Sequence, residues 1–561
     1  TPLKVSNIEM PKEMKVLRTT TTTIEAKISP VLADDKKLSW ASEDKSIATV
    51  NQDGDVKGLK VGTTKITATT TDGSVSASCK VTVTDATIKL STMTIKLRKT
   101  DTYTEQAVAI EPENIEHKDV VWSTSGNGVA SVDKDGNVTG NKPGIDTLRC
   151  SLVYASGIYS ECRVIVYDEN VVYIGGLYYL LHDDGTATVT GIYGAKGNGL
   201  DASKVAQYYS GTINIPRSVT YNGVTYDVTN VGSYSFACQN DLQSVFIPTS
   251  VKAIEQFAST KAEKLQMVNV EEDSQLINIG NSAFKECTGL RFFTFEGTTN
   301  KMKSIDASAF YGCSKLEQIK WVGKSTLTTI GDYAFYKCAS LNNLMMPNSV
   351  LSVGNYSFRY CSGLTDVSLS STLSIIYEYA FGECGFSHIT LPESLVSVQA
   401  GSFINNEHLQ EITIPERMEG IGSAAFENNS SLETVTFRTE INTMTIGDNA
   451  FNLCPVLSKV NISHLNSWAH TNFQNAKANP ANTSHNIYMN GVEIIDVVLP
   501  EGTRYVNNNA FNGCSHIKSL SMPKTIDRIN DNIIYGCSAL KDVYCYAEDV
   551  PVFIGTHDPA D

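Results

Sequence analysis

The feature that most constrains this 561-residue chain is a short motif that recurs through its second half. Each copy opens on a small residue and a phenylalanine, and most copies have a cysteine three places later, as in AFYKCASL from Ala334. Most copies lie 22 to 27 residues apart, a period typical of stacked repeats. A single copy cannot bury its own apolar face, so consecutive copies must stack and share one continuous core.

The motif sets which positions correspond from copy to copy. We place the opening phenylalanines at Phe236, Phe257, Phe284, Phe310, Phe335, Phe358, Phe381, Phe403, Phe426, Phe451 and Phe511, with Ile534 in the last copy. The interval from Phe451 to Phe511 is 60 residues, which indicates an insertion near residues 461–500. Two copies depart from the pattern, because Cys238 comes one place early and the Phe257 copy has no cysteine.

The part of each copy after the cysteine predicts a short β-strand. In SLNNLMMPNSV from Ser340, the L-x-x-L-x-L spacing points alternate residues inward, and Pro347 ends the strand because it has no N–H for a ladder. Stacking places these strands side by side and parallel. We therefore predict a mainly β chain in which residues 231–561 form a right-handed leucine-rich-repeat solenoid with a parallel β-sheet on its concave face.

The residues between the inward positions of each strand face outward, where a ligand would bind. The candidate binding residues are Phe246, Met267, Phe292, Gln318, Lys320, Asn343, Met345, Asp366, His388 and Glu411. Solvated sheet positions are usually polar, so the apolar residues of the first three copies indicate a contact surface. The alternative is that residues 169–230 form an N-terminal cap that covers this end of the array, since terminal repeats need covering. The sequence leaves both alternatives open.

The recurring cysteines occupy one position of the coil. That position is filled by Cys287, Cys313, Cys338, Cys361, Cys384, Asn406, Asn429, Cys454, Cys514 and Cys537. Asparagine cannot form a disulfide or replace a thiolate ligand well, but it can hydrogen-bond to turn backbone. We therefore predict a structural ladder of buried, reduced side chains rather than a metal array or a set of reactive thiols.

Two similar β-units precede the repeats, at residues 1–85 and 86–168. The segment WASEDKSIATV from Trp40 matches WSTSGNGVASV from Trp122, and period-2 apolar alternation predicts a small β-sandwich in each unit. Their Asp-Gly turns are read as hairpins rather than calcium loops, because no downstream carboxylate lies at the required distance. Cys150 and Cys162 are expected on neighbouring strands of the second unit, where a disulfide or two free thiols are both compatible with the pattern.

Charge and motif content exclude several functions. The 45 basic and 60 acidic residues give a net charge of −15, which opposes a nucleic-acid partner. No apolar run reaches the roughly 18–20 residues of a transmembrane segment, and no secretory signal opens the sequence, although a trimmed chain would look the same. The sequence contains no metal-binding histidine spacing such as H-E-x-x-H, no G-x-S-x-G nucleophile elbow and no G-x-x-x-x-G-K-[ST] phosphate loop. We therefore expect no catalytic residues, no metal and no cofactor.

Two resemblances sharpen these expectations. The Trp segments, the D-G-x-V-x-G turns at Asp53–Gly58 and Asp135–Gly140, and the terminal C-x-V-x-V resemble group 2 bacterial immunoglobulin-like domains. From about residue 170 to 549, segments such as IGNSAF at Ile279 and LQEITIPERMEGIGSAAF at Leu409 resemble BspA-like leucine-rich repeats of bacterial surface proteins. This resemblance implies an extracellular or cell-surface location, with the signal or lipid anchor outside this sequence, and an extracellular protein or glycan partner, such as host matrix or another bacterium.

Three functions remain in contention. The favoured one is a non-enzymatic adhesion or binding protein, with the Ig-like units as spacer and the repeats as binding surface. The first alternative is a structural spacer or scaffold of the cell surface that has no ligand of its own. The second is a carbohydrate-active enzyme, which is disfavoured because no nucleophile–base pair is discernible.

Overall fold

The computed structural model describes residues 2–112, 118–153, 155–194, 207–296, 301–320, 325–440 and 443–554. The chain divides into two compact units, residues 1–169 and residues 170–561, each with its own internal contacts. We describe the two units separately.

The first unit consists of two β-sandwiches with the same strand arrangement. Each has a four-stranded sheet, a three-stranded sheet and a two-stranded ribbon. The strands of the first sandwich are Asn7–Glu9, Glu13–Leu17, Thr21–Thr23, Lys27–Ser29, Leu38–Ser42, Ala48–Val50, Asp55–Gly58, Gly62–Thr70 and Ser76–Thr84. Those of the second are Thr87–Leu90, Thr94–Arg98, Thr102–Tyr103, Val108–Glu111, Val120–Thr124, Ala130–Val132, Val138–Gly140, Gly144–Leu152 and Ala155–Tyr167.

The Asp-Gly turns of this unit are closed by their own side chains. The Asn51 Oδ1 accepts hydrogen bonds from the backbone N–H groups of Asp53 and Asp55, both at 2.9 Å. In the first sandwich, the ring of Trp40 lies so close to Gly54 that a Cβ there would be 2.9 Å from it, and this glycine has φ +86°. Turn geometry and packing on tryptophan therefore explain this Asp-Gly motif without a bound ion.

The disulfide considered between Cys150 and Cys162 is not formed, and both residues are buried free thiols. The antiparallel register pairs Cys150 with Ser160, while Cys162 lies opposite Leu148. The two cysteines are thus diagonal neighbours on one face of the sheet, at a separation of about 7–8 Å for such pairs. That separation exceeds the usual Cα range of a disulfide.

The second unit is a β-solenoid of about 13 turns, in which each coil contributes a front strand, a side strand and a tight turn. The front strands are Asp241–Ile247, Met267–Val270, Phe292–Phe295, Gln318–Lys320, Asn343–Met345, Asp366–Ser368, Glu411–Ile414, Thr434–Phe437, Lys459–Ile462, Asp496–Val498, Ser519–Met522 and Asp542–Cys545. The side strands are Ala253–Ile254, Asn278–Ile279, Ser304–Ile305, Thr329–Ile330, Ser352–Val353, Ile375–Ile376, Ser397–Val398, Gly420–Ile421, Thr445–Ile446, Asn472–Phe473, Tyr505–Val506, Arg528–Asn530 and Val552–Ile554. Pairing within both sets is parallel, so the predicted mainly β solenoid with a parallel sheet is confirmed.

The described strands within residues 170–231 extend both sheets at the N-terminal end of the solenoid. Their strands are Val172–Ile174, Leu177–Leu181, Thr186–Thr190, Ser210–Asn214, Ser218–Tyr221 and Val224–Val231. Ser210–Asn214 pairs in parallel with the first front strand, and Val224–Val231 pairs in parallel with the first side strand. This segment therefore adds strands edge to edge in each sheet.

The long interval between repeats contains two short helices, a 3-10 turn and a hairpin. The helices are Leu465–His470 and Ala481–Ser484, the 3-10 turn is Ala476–Ala478, and the hairpin strands are Tyr488–Met489 and Val492–Glu493. The indole of Trp468 is buried against Phe437 and Phe473, with ring centroids 5.3 and 5.0 Å away, and its N–H donates to the Ala510 carbonyl. This side chain ties the insertion to coils on both sides of it.

The turns stack the opening phenylalanines into a buried ladder. From Phe284 through Phe310, Phe335, Phe358, Phe381, Phe403 and Phe426 to Phe451, successive ring centroids lie 5.0 to 5.8 Å apart and the rings are within 9° of parallel. Two residues of each turn have positive φ, the one two places before the phenylalanine and the one two places after it, as Tyr333 and Lys337 do. The repeats therefore stack through turns that share the same backbone conformation.

The assignment of Phe257 as an opening phenylalanine was wrong. Its backbone has φ +56° and its N–H donates to the Asn281 carbonyl, which places it two residues earlier in the turn, where its ring stacks on Tyr234 at 5.2 Å. Ser259 occupies the core position instead, since its N–H donates to Ala283 as the core phenylalanines do to their neighbours. With Ser259 counted, successive core positions before the insertion lie 22 to 26 residues apart.

The cysteine–asparagine ladder joins each coil to the preceding one. The Cys313, Cys338 and Cys361 thiols lie 3.1–3.2 Å from the carbonyl oxygen of the phenylalanine one coil earlier. Asn406 and Asn429 donate their side-chain N–H to the equivalent carbonyls at 2.9 and 3.1 Å. Burial raises the pKa of the Cys361 thiol to about 12 and that of Cys454 to about 11, so these thiols stay protonated.

Alkylation of the native protein separates ladder cysteines from accessible ones. We expect iodoacetamide to modify Cys545, which is exposed, within minutes, and to leave the ladder thiols unmodified until denaturant is added. Peptide mass spectrometry after timed quenching measures each site, and the same reaction in guanidinium chloride is the control. Fast native modification of several ladder cysteines would contradict a buried structural ladder.

Candidate functional site

The candidate binding residues of the first coils lie on the outer face of the front strands, in two parallel columns, whereas His388 lies outside the strands and forms an isolated bridge with Glu411. The first column contains Ser244, Met267, Phe292, Gln318, Asn343 and Asp366, and the second contains Phe246, Asn269, Thr294 and Lys320. Their intervening neighbours, such as Val245, Val268 and Phe293, are buried, whereas the described side chains of both columns are half-buried or exposed. The side chain of Lys320 lies outside the described residues.

The three apolar candidates do not form one column. Met267 and Phe292 are direct neighbours in the first column, whereas Phe246 belongs to the second column and is flanked by Asn214 and Asn269. The guanidinium of Arg291 lies 5.0 Å from the centre of the Phe292 ring and covers part of it. The apolar surface is therefore divided, and Phe246 is its more separate part.

The segment before the repeats borders Phe246. Ser210–Asn214 continues the front sheet in its own plane, so Asn214 takes the next place in the second column. Ile215, Pro216 and Arg217 then form one wall of a groove of about 460 Å³ that Phe246 also lines. The described strands between residues 170 and 231 thus continue both sheets by pairing, while Phe246 remains half-buried in the groove.

Charged and amide groups surround the Phe246 groove. Arg217 donates to Glu271 at 2.6 Å, and the Thr249 backbone N–H donates to the same carboxylate at 2.8 Å. These hydrogen bonds lower the pKa of Glu271, and the carboxylate in turn raises the pKa of Arg217. Asn269 and Glu296 also line the groove, together with Ile247 and Pro248, so it offers one aromatic surface, amides and a held ion pair.

The outer face becomes polar farther along the solenoid. Asn343 donates to Asp366 at 3.0 Å, and His388 lies 3.7 Å from Glu411 on the next coil. Met345 stands out as an apolar side chain on this part of the face, with 56% of its surface exposed. The candidates from Gln318 onward therefore form a mainly hydrogen-bonding surface.

Sequence reasoning missed Asn214, Arg217, Glu271 and Glu296. A signal existed for Asn214, because TINIPRSV from Thr212 matches SVFIPTSV from Ser244 and both segments carry a strand that ends at a proline. The acidic residues follow their front strands directly, in positions that a repeat consensus does not describe. Their proximity depends on the parallel stacking of neighbouring coils.

Within the described ranges, no group of three or more His, Cys, Asp or Glu side chains is placed to hold a metal ion. The helices described are too short to cross a bilayer.

Stacked coils with a parallel front sheet and a phenylalanine core define a leucine-rich-repeat β-solenoid, here in one chain with two Ig-like sandwiches. The model of the BspA type leucine rich repeat region matches residues 212–304, 278–386, 353–479 and 481–548, more than half of the sequence. The chain belongs to this family. Group 2 bacterial Ig-like domains match residues 5–81 and 82–147. Family and fold are those of bacterial surface proteins, which are generally non-enzymatic.

Individual relatives match shorter parts of the chain. An uncharacterised protein of Clostridium acetobutylicum is 37% identical over 159 residues, 28% of this chain and 16% of its own length. An α-L-arabinofuranosidase of Bifidobacterium longum subsp. longum is 41% identical over 71 residues, 13% of this chain and 7% of its own length. The chain therefore spans less than a fifth of the curated relatives that it matches.

Solved structures of similar fold include two bacterial proteins. A leucine-rich repeat protein from Bacteroides ovatus has 23% identity and a TM-score of 0.45, and the match covers 68% of this chain and 90% of that protein. The pneumococcal vaccine antigen PcpA has 17% identity and a TM-score of 0.32, with coverage of 68% and 99%.

Proposed function

We propose that this chain is an extracellular binding protein of a bacterial cell surface, whose ligand docks on the outer face of the front strands. The Phe246 groove carries the proposal, because it places an aromatic side chain, amides and an ion pair in one concavity. The ligand class is an extracellular protein or a glycan, as the mixture of apolar and hydrogen-bonding groups suits either. In this proposal the two Ig-like sandwiches act as a spacer.

The rest of the outer face supports a binding role for a different reason. Its side chains differ from coil to coil, whereas the inward positions, the phenylalanines and the cysteine–asparagine ladder repeat. Because the repeated positions maintain the scaffold, the variable side chains of the outer face can determine which ligand binds. The enzyme alternative gains little from the arabinofuranosidase relative, because the match covers only 13% of this chain.

Substitution of Phe246 tests the site. We expect Phe246→Ser to weaken capture of ligand by about tenfold or more, because it removes the aromatic contact at the centre of the groove, while the melting temperature changes little. Arrays of purified extracellular matrix proteins and of oligosaccharides, followed by biolayer interferometry on each hit, measure the change. Val498→Ser is the matched control, since Val498 is an exposed apolar residue of a distant front strand.

Two other interpretations, a stabilising role for Phe246 and a spacer without a ligand, predict different results in this experiment. If Phe246 chiefly stabilises the junction with residues 170–231, Phe246→Ser lowers the melting temperature and leaves ligand capture intact once the protein is folded. If the chain is only a spacer, no array component binds the wild-type protein. Either result contradicts the proposed site.

A further inference from the structure

A second surface of the solenoid lies on its turns and is built from tyrosines. Six tyrosines of four successive coils form what we call the tyrosine surface: Tyr311, Tyr333, Tyr336, Tyr356, Tyr360 and Tyr379. None of them is fully buried, and Tyr360 is 36% exposed. They occupy turn positions whose side chains leave the core, so the packing of the repeat does not explain their presence.

The tyrosines are held in fixed positions by one another. Tyr333, Tyr356 and Tyr379 form one stacked row, with centroids 4.8 and 4.9 Å apart and planes within 14° of parallel. Tyr311 and Tyr336 stack at 4.9 Å in a second row. Edge-to-face contacts of Tyr336 with Tyr333 and Tyr360, at 5.5 and 5.4 Å, join the rows into one continuous surface.

An arginine is fixed at the centre of this surface. Arg359 donates two hydrogen bonds to Glu383, at 2.7 and 2.9 Å, and both side chains are less than one-fifth exposed. Its guanidinium lies 4.6 Å from the ring centre of Tyr379 and 4.9 Å from that of Tyr360. A rigid set of tyrosines and arginine has little conformational entropy left to lose when a partner docks.

Charged residues lie beside both tyrosine rows. Asp332 and Glu378 each precede a tyrosine of the first row, whereas Lys285 and Lys337 lie beside the second row and contact the rings of Tyr311 and Tyr336 at 5.0 and 5.5 Å. Within the described part of the chain these four side chains form no ion pair closer than 4 Å. The centre is therefore aromatic with an internally neutralised arginine, and the rim carries charge of both signs that no ion pair within the described residues neutralises, although Asp332 accepts the Asn355 backbone N–H.

We propose that the tyrosine surface is a docking site for a folded protein whose matching patch has an apolar centre, acidic side chains opposite Lys285 and Lys337, and basic side chains opposite Asp332 and Glu378. Tyrosine and arginine are enriched among the residues that dominate protein interfaces, and charge is depleted at interface centres and common at their rims. Both properties are present on this surface.

The stacking disfavours a polysaccharide at the same place. Sugars dock on the faces of aromatic rings, but the faces of each tyrosine row are turned toward the next ring of the row. The stacked rows therefore leave few free ring faces for a sugar, whereas a protein surface can contact tyrosines through ring edges and hydroxyl groups as well. The charged rim would also add nothing to the binding of a neutral polymer.

The test uses the full chain against arrays of purified extracellular matrix proteins and, separately, of neutral and acidic oligosaccharides. We expect Tyr360→Ala and Tyr356→Ala each to weaken a protein interaction by about tenfold or more. Lys337→Glu should slow association severalfold at low salt and have little effect at high salt. Leu453→Ala is the matched control, because Leu453 occupies the turn position of Tyr360 in a later coil and is 60% exposed.

The outcomes separate this proposal from the groove proposal. Phe246→Ser should leave binding at the tyrosine surface unchanged, since the substitution lies on the front strands rather than on the turns. The tyrosine-surface proposal is overturned if no array protein is lost with the tyrosine variants. It is also overturned if these variants affect only oligosaccharide binding, or if sedimentation shows that they abolish self-association and nothing else.

Discussion

Replacement of Phe358 by alanine is expected to open the solenoid locally, with a loss of about 3–5 kcal/mol of stability. The Phe358 ring is fully buried and is stacked between Phe335 and Phe381, at centroid distances of 5.0 and 5.2 Å. Alanine leaves a cavity between two rings that cannot close up, because the turns on both sides are held by hydrogen bonds from coil to coil.

Hydrogen–deuterium exchange measures this effect better than a single melting temperature. In a repeat array each coil contacts only its neighbours, so the loss should be greatest around residues 335–381 and fade over adjacent coils. Residues 1–169 form a separate unit and serve as an internal control. Leu351→Ala is the matched substitution, since Leu351 is an exposed residue of the same region. A loss of protection spread evenly along the solenoid would contradict the nearest-neighbour account.

Much of the solenoid could be predicted from its sequence, because the same physical requirement recurs in every coil. Leu344 and Met346 alternate with outward residues because a strand exposes one face, and the asparagines reveal that the cysteine position serves the backbone. A packing requirement that recurs in many copies can be recognised in the sequence even where single copies vary. This explains why the solenoid with its parallel sheet could be predicted.

Phe257 shows where residue type misleads. In its coil the phenylalanine occupies the first left-handed position of the turn, and Ser259 occupies the core position. Matching this copy by its phenylalanine therefore shifted the alignment by two residues. The positions of a turn are defined by its backbone, and the two left-handed residues of each coil identify them without ambiguity. Sequence alone does not display φ at positions occupied by tyrosine, lysine or phenylalanine, since these residues seldom adopt positive values.

The two candidate surfaces were hidden for the same reason. Phe246 was predicted as an outward residue, but its groove depends on Arg217 and Glu271, which lie 54 residues apart in the chain. The tyrosine surface depends on coils that bring Tyr336 against Tyr333 and Tyr360. In both cases each residue is unremarkable within its own copy, and only the stacking of copies brings the chemical groups together.

Exchanges at Asn406 should distinguish what the ladder position requires. Its side chain donates to the Phe381 and Phe403 carbonyls at 2.9 and 3.1 Å and accepts the Cys384 backbone N–H at 2.7 Å, all within the core. Asn406→Ala removes both side-chain contacts to the carbonyls and leaves a cavity in the core. We expect a loss of about 2–4 kcal/mol, which combines the missing hydrogen bonds with the cost of that cavity.

Asn406→Cys is expected to cost much less, about 1 kcal/mol. A thiol at this position can reach the preceding carbonyl, as Cys361 does at 3.2 Å from Phe335. The Cys384 N–H can then turn to the carbonyl three residues earlier, as the Cys361 N–H does toward Phe358. Urea unfolding followed by exchange at residues 381–429 measures both variants, and Ser430→Ala, at an exposed position of the next coil, is the control. Equal losses for alanine and cysteine would show that a thiol at this position gains nothing from the preceding carbonyl, which would contradict the bonding role of the ladder.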